Sequence, residues 1–564
     1  IGTTGSSYSC GGNGFSGNFM NWATSSSIDL LRYGLTGGDR IQDTGASTVL
    51  QRAVLQNDFW NNGSYFPKKE ISAALAAQAL PSTLRGNHSG TIYISNCSNR
   101  VFFSNNSDTG SCTSPKFNSS LGAKAPGASG NTAASNSTAL STGMFFTRVK
   151  VCDSSGGSLT DPRTTLCQKY PNGNFKPIGN MQKYSDRIRL AAFGYLMENG
   201  TNRYGGVLRA PMTYVGPRAY DNNGNALLGN NSLQEWDNDT GVFKTNPRND
   251  SNFGRSGVIN YLNTFGRMPG YEGIYKSNDP VGELYYESLR YLQGLQPTTQ
   301  AISNLDSAKK AGFPAYETWL DPFEGGSNTQ NYACLRNSIL LIGDVNTHAD
   351  KSLPGNDRAT NNDFSRTSEV NIASNIPNFK EWTKVVGGFE SNNSVAYIDG
   401  NGDSKNTKTT PAPSDNSARW GMEAQNTGSG GSAAYYMAGA AYWAHTHDIR
   451  GSQWTEATKR RPGMRITTYV LDVNENGSQS TFSNRKQSQF YLTAKYGGFT
   501  DIDGDGNPFT PSSTDDTKGT RHWAKDTSPA NELDPKTYFL ASDADAVLKA
   551  LDEIFIAATQ VSSS

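Results

Sequence analysis

The sequence predicts an α/β fold, a mostly parallel sheet with long polar loops and extra β-hairpins hung on it. Two observations lead there. Strand-like and helix-like segments alternate through the second half of the chain, which is the pattern of crossover connections. Within that half, "NSILLIGDVNTHAD" (337–350) is a short apolar run ending at Gly343 and Asp344. Such a run reads as a buried parallel strand that delivers a carboxylate to its C-terminal edge.

The elements follow in order. "NFMNWATSSSIDLLRYGL" (18–35) reads as one helix, with Met20, Ala23, Leu30 and Leu31 among its apolar positions and the glycines at 37–38 as its stop. Residues 85–142 are dense in Asn, Ser, Thr and Gly without apolar periodicity and read as an insertion or surface loop. "FFTRVKVC" (145–152) alternates as a strand does, and "RIRLAAFGYL" (187–196) with "GGVLRAPMTYV" (205–215) reads as a strand pair. In "ELYYESLRYLQG" (283–294), Tyr285, Leu289 and Leu292 fall at helical spacing before a glycine stop. "SAAYYMAGAAYWAHTHDIR" (432–450) reads as a helix, "MRITTYVLDVN" (464–474) as a strand, and "QFYLTAKYGGF" (489–499) as a helix ending at glycines. "TYFLASDADAVLKALDEIFIAAT" (537–559) is a strand, an Asp543 or Asp545 N-cap, and a helix that turns Val547, Leu551 and Ile554 inward. The whole of 1–564 is thus read as one domain with insertions at about 85–142, 216–260 and 350–430.

Composition narrows the function classes. Acidic and basic residues balance at 50 each in 564 residues, so no global field draws nucleic acid or an anionic membrane. Charged residues are only 18%, while Gly, Asn, Ser and Thr are abundant, which suits an extracellular, loop-rich protein. No run of 18 or more apolar residues marks a membrane span. The chain starts at Ile1 without the basic and apolar regions of a signal peptide, which is read as removed or not included. Six cysteines allow fifteen complete pairings. Spacing favours Cys97–Cys112 and Cys152–Cys167, each closing a short polar loop and leaving Cys10–Cys334 as a long-range pair. Each short loop would stabilise the fold by roughly 3 kcal/mol in the chain-entropy model. A zinc site is the weaker reading: the sequence has no CxxC and no HExxH, and His445 and His447 are two apart in an expected helix and face different ways. Aromatic residues such as Trp22, Tyr442 and Trp443 are read as core.

Near the C-terminal end stands "YGGFTDIDGDGNPF" (496–509). Three carboxylates on alternate positions repel one another, and the cheapest compensation is a hard cation wrapped by a tight loop. Asp501, Asp503, Asp505, Gly506 and Asn507 fit positions one, three, five, six and seven of a calcium loop, whereas the twelfth position is Ser512 rather than a closing Glu. The competing reading is a solvated Asp/Gly turn. Asp399, Asn401 and Asp403 in "DGNGDS" form a weaker relative of the same pattern.

Eight stretches in order, among them "GNFMNWATSSSIDLLRYGLTGGDR", "GGVLRAPMTYVG", "DPVGELYYESLRYL", "LIGDVNTHAD", "AAYWAHTHDIR" and "AKYGGFTDIDGDGNP", resemble the N-terminal half of the PilY/PilC family of type IV pilus biogenesis factors and tip adhesins. The resemblance implies a von Willebrand factor A-like, doubly wound domain. It also implies a metal-ion-dependent adhesion site in which Asp344 matches the later aspartate and Asp279 lies on the equivalent of a threonine loop, with calcium or magnesium as the ion. The family's upstream strand with its Asp-x-Ser-x-Ser-like motif does not appear in these residues, so that site is expected to be incomplete here; the family's C-terminal β-propeller is likewise expected beyond this chain. Implied partners are minor or major pilins, a host-cell or abiotic surface, and that propeller. The implied location is the extracellular pilus tip, reached through the periplasm or outer membrane. No catalytic motif such as GxSxG or GxxxxGK[ST] occurs, so a non-enzymatic binding module is expected. The alternatives are a calcium-stabilised secreted hydrolase using carboxylates among Asp279, Glu283 and Asp344, and a purely structural spacer at the pilus tip.

Overall fold

The computed structural model describes the chain outside residues 1–13, 117–143, 154–165, 199–202, 222–223, 346, 349, 351, 355–375, 391–393, 399–403, 410–422, 425–432, 435, 487, 503, 510–521, 530 and 561–564. The chain divides into two compact units where the sequence reading has one domain. The first comprises Ile1–Gly179, Asp237–Phe243 and Asn263–Tyr275, and the second Asn180–Trp236, Lys244–Leu262 and Lys276–Ser564.

In the first unit the single helix expected over 18–35 is two, Gly17–Thr24 and Ser27–Thr36. Ser26 causes the break. Its hydroxyl accepts the Asp29 N–H while Asp29 accepts the Ser26 N–H, a capping box that starts a new helix. The second helix ends at Gly37 with φ 85°, where a Cβ would sit 2.6 Å from the Pro177 carbonyl oxygen; only glycine fits. Two antiparallel sheets follow: Arg40–Thr44, Ser47–Gln51 and Arg148–Val151 form one, and Lys69–Ile71, Ile92–Cys97, Arg100–Ser104 and Met144–Phe146 the other. The strand expected over 145–152 therefore breaks at Thr147, and its halves join different sheets. Residues 85–142 are not simply an insertion. Ile92, Ile94, Val101 and Phe103 are fully buried with Ala76, Leu80 and Leu84, so a core sheet is hidden in polar-looking sequence. Trp22 is 39% exposed, not core. Disulfides join Cys97 to Cys112 and Cys152 to Cys167. Cys334 is exposed without a disulfide partner among the described residues, and Cys10 lies outside them.

The second unit is built on a three-stranded parallel sheet in the order Asn337–Gly343, Ile466–Asp472, Tyr538–Leu540. Helices Val281–Leu292, Met437–Thr446 and Gln489–Gly497 share its core with Ile339, Leu341, Ile466 and Val470. Met437–Thr446 is apolar on every side and accordingly lies inside the core. It is shorter than the helix expected over 432–450, because Ala433–Ala434 pairs as a strand before it. Helix Phe379–Phe389 packs on it so closely that a Cβ at Gly439 would stand 2.4 Å from the Thr383 backbone nitrogen. Leu190–Gly194 and Val207–Thr213 form the expected antiparallel pair. Asp543 caps the final helix, Ala544–Thr559, by accepting the Ala546 N–H. One buried ion pair braces the core: the Arg450 guanidinium meets both Asp321 oxygens at 2.7 and 2.8 Å. The architecture is mixed α/β with several small sheets. No described helix is long and apolar enough to cross a membrane.

Candidate functional site

Parallel pairing puts Gly343 opposite Asp472, so both strands end at one edge. Crossing there, the Val473 N–H donates to the Gly343 carbonyl at 2.8 Å. Asp472 is fully buried, accepting the Tyr538 hydroxyl at 2.7 Å and the Asn474 N–H at 2.9 Å, and burial pushes its pKa up to about 6. Glu475 follows three residues later. Burial raises its pKa, and the nearby His348 opposes that rise.

The helix Val281–Leu292 begins at the same edge after Pro280, which has no side chain to cap it. The missing acceptor comes from a distant loop. The Asp350 carboxylate accepts the Gly282 N–H at 2.8 Å and the Glu283 N–H at 2.9 Å, where the free N–H groups and the helix dipole favour negative charge. Thr347 completes the cap, its hydroxyl accepting the Val281 N–H at 3.3 Å and donating to the Asp279 carbonyl at 2.7 Å. Glu283 is also buried and accepts N–H groups from Gly205 at 2.8 Å and Ser352 at 2.7 Å.

Asp279, one turn upstream, faces this anchored shell. Its carboxylate lies 2.6 Å from His348 Nδ1 and hydrogen-bonds to the Asp344 side chain. Burial pushes its pKa well above the usual carboxylate range, and the charges of Glu475 and Asp350 push the same way. Tyr195 stands in the field of Asp279, Asp350, Asp344 and Glu283; burial first, then those carboxylates, hold its phenol well above its ordinary value. Lys276 answers from the other side. Burial lowers its pKa to about 8 against the pull of Glu283, Glu198 and Asp279, and its Nζ has no hydrogen-bond partner among the described residues.

The structure thus brings the two sequence-predicted residues Asp279 and Asp344 into contact. Carboxylate oxygens are of the kind that hard cations take. Among the described residues, no three His, Cys, Asp or Glu side chains are arranged to hold one metal ion together. Asp350 and Glu283 are committed to backbone N–H groups, while Asp279 meets His348 and Asp344 through side chains alone. His348, Asp350, Glu475, Tyr195 and Lys276 were not foreseen. The available signals were the "HAD" that begins five residues past the end of the strand Asn337–Gly343 and a Glu three residues past the end of Ile466–Asp472.

The 501–507 loop is a separate and local arrangement. Asp501 accepts the Gly504 N–H at 3.0 Å and the Gly506 N–H at 3.1 Å, with both glycines at positive φ, 77° and 73°. Asp505 accepts the Asn507 N–H at 2.7 Å, and Asn507 accepts the Phe509 N–H at 3.0 Å. The Tyr442 hydroxyl donates to the Gly506 carbonyl at 2.9 Å, which ties the loop to the core helix; burial raises that phenol to about 12. Asp501, Asp505 and Asn507 are the loop's described oxygen donors. Asp503 lies outside the described residues, as do Asp399, Asn401 and Asp403.

Comparison with known proteins gives two family matches. Residues 2–118 match the family model of the PilY1 homolog small alpha/beta domain, and residues 198–444 that of the PilY1 homolog second domain. Two relatives, both described as type IV pilus biogenesis factor PilY1 homolog from Xylella fastidiosa, align with the chain. One is 30% identical over 571 residues, covering 97% of this chain and 42% of the relative. The other is 24% identical over 479 residues, covering 78% of this chain and 30% of the relative. The chain therefore spans less than half the length of either. No solved structure matches.

Proposed function

Since the chain belongs to the PilY1-homolog family of type IV pilus factors, we propose that it is a non-enzymatic, extracellular binding module that works at the pilus tip in assembly and adhesion. The single observation that carries the reading is the contact of Asp279 with Asp344 at the carboxyl edge of a parallel sheet, with His348 at 2.6 Å from Asp279 and Glu475 close by. A parallel sheet flanked by helices, with its ligand groups beyond the strand ends, is the geometry of an A-domain adhesion site. In this proposal the fold is von Willebrand factor A-like, and Asp279 and Asp344 take calcium or magnesium together with an acidic group of a pilin or surface ligand. When bound, the ion supplies a Lewis-acidic position for that acidic group. Asp350 and Thr347 hold the helix start in place, and His348 orients Asp279. Asp501, Asp505 and Asn507, with Asp503, hold a second, bracing calcium.

Two short-loop disulfides suit the oxidising route through the periplasm to the cell surface. The further partners proposed are minor or major pilins, a host-cell or abiotic surface, and a β-propeller in the same protein. The test is a chromosomal Asp344→Ala change in the intact protein, scored for pilus number and for attachment of piliated cells. The reading expects attachment to fall severalfold, with any change in piliation restored by a suppressor of pilus retraction. Normal attachment with normal piliation would end it.

A further inference from the structure

At the opposite end of the same sheet, ahead of strand Ile466–Asp472, lies a cavity of about 560 Å³ that the carboxylate site does not use. Its volume falls within the range of small-molecule pockets. Trp382 comes from the helix Phe379–Phe389 and Trp443 from Met437–Thr446; His447, Asp448, Gln453 and Arg465 supply the polar lining. The rings are arranged around His447, which lies parallel to Trp443 at 6.3 Å and tilted against Trp382 at 4.6 Å.

The hydrogen bonds fix what the polar groups can offer. Thr446 gives its hydroxyl proton to the Tyr442 carbonyl at 2.8 Å and therefore accepts from His447 Nδ1 at 2.8 Å. Nδ1 carries the ring proton, and Nε2 is left as a bare acceptor. Asp448 uses Oδ2 on the Gly463 N–H at 2.8 Å, while Oδ1 stands 3.6 Å from the Arg465 Nε. Gln453 commits its Nε2 to the Asp448 carbonyl and keeps its Oε1. The lining thus combines two indoles with paired acceptors and a guanidinium donor fork.

The geometry points to a binding site for a neutral saccharide of one or two rings. The half-buried Trp382 indole takes the C–H face of a pyranose over a floor formed by the buried Trp443, and Asp448, Arg465 and His447 Nε2 take adjacent hydroxyls, which both donate and accept. Asp448 and Arg465 pair with each other and leave the lining without net charge from these two groups, which favours a neutral polar ligand over an ammonium or a carboxylate, and a wholly apolar ligand would strand the polar half of the lining. The assignment is independent of the pilus reading and of any metal.

Titration of the 564-residue chain in EDTA tests it, with tryptophan fluorescence and calorimetry as readouts. The probes are the methyl glycosides of glucose, galactose, mannose and N-acetylglucosamine, together with cellobiose and chitobiose. Saturable binding of at least one probe is expected, weakened roughly tenfold or more by Trp382→Ala and by Asp448→Asn, and retained within a few-fold by Trp382→Phe. Arg465 is half exposed, so Arg465→Ala serves as a variant that keeps the fold and still loses affinity. No saturable binding by any of these probes overturns the proposal. Binding that Trp382→Ala and Arg465→Ala both leave intact also overturns it, as does preferential binding of tetramethylammonium or acetate.

Discussion

The acidic cluster at the start of Val281–Leu292 and the acidic loop at 501–507 each crowd carboxylates together, yet they handle the charge differently. In the cluster, Asp350 and Glu283 are buried at 0% and 1% exposure and satisfied by N–H groups from remote segments, while burial and the neighbouring carboxylates push the Asp279 pKa well above its ordinary value. In the loop, Asp501 and Asp505 accept N–H groups from within five residues and stay in reach of solvent. A buried carboxylate without its partners bears the full desolvation cost, whereas an exposed one falls back on water. The cluster is therefore part of the fold, and the loop is a detachable accessory to it.

The largest break in this comparison comes from Asp350→Ala. Two buried N–H groups lose their acceptor, and urea unfolding of the metal-free chain should show a loss of about 4 kcal/mol, at 1–3 kcal/mol per unsatisfied group. Equal losses from Asp350→Ala and Asp505→Ala would erase the distinction.

The next effect is the pH dependence of Asp472. Its folded pKa of about 6 lies above the ordinary 3.8, so the folded state binds more protons between those values. That site's contribution is full below about pH 4 and fades as pH rises to about 6, by about 3 kcal/mol at 1.36 kcal/mol per unit. Asp472→Asn should flatten this part of the profile. The comparison is the difference between wild type and variant in urea melts at pH 4.5 and 7 in EDTA, where shared groups such as the buried His445 cancel. An unchanged difference would place the carboxylate in water.

Smaller still is the calcium effect on the loop. A ligand that binds only the folded form stabilises it by about 2.7 kcal/mol at a hundredfold excess over its dissociation constant. Asp503→Ala should lower the melting temperature in millimolar calcium and leave the EDTA value within about 0.5 kcal/mol. An equal drop in both conditions would mark the loop as a solvated turn.

The two regions also differed in how legible they were. The loop could be read because all its donors and both glycines fall within seven residues, and local spacing is what a sequence displays. Asp344 could be read from the apolar run before it. His348, Asp350 and Glu475 could not, since their meaning depends on a helix starting about seventy residues earlier and on a strand ending more than a hundred residues later. Ile92–Cys97 and Arg100–Ser104 were missed for a related reason. Their apolar runs are short and flanked by Asn and Ser, and only pairing with Met144–Phe146 and packing under Leu80 and Leu84 makes them core.

By itself the sequence determined the alternation of strands and helices in the second unit, an aspartate cap at 543 or 545, the short disulfide loops and the glycine-hinged acidic turn. Each of these depends on interactions a few residues long, or on an apolar period that burial enforces. The tertiary structure alone decided the division into two units, the contact of Asp279 with Asp344, and the cavity between Trp382 and Arg465. These require groups distant in the chain to share one desolvated volume, where the energy of a carboxylate is set by what lies beside it in space.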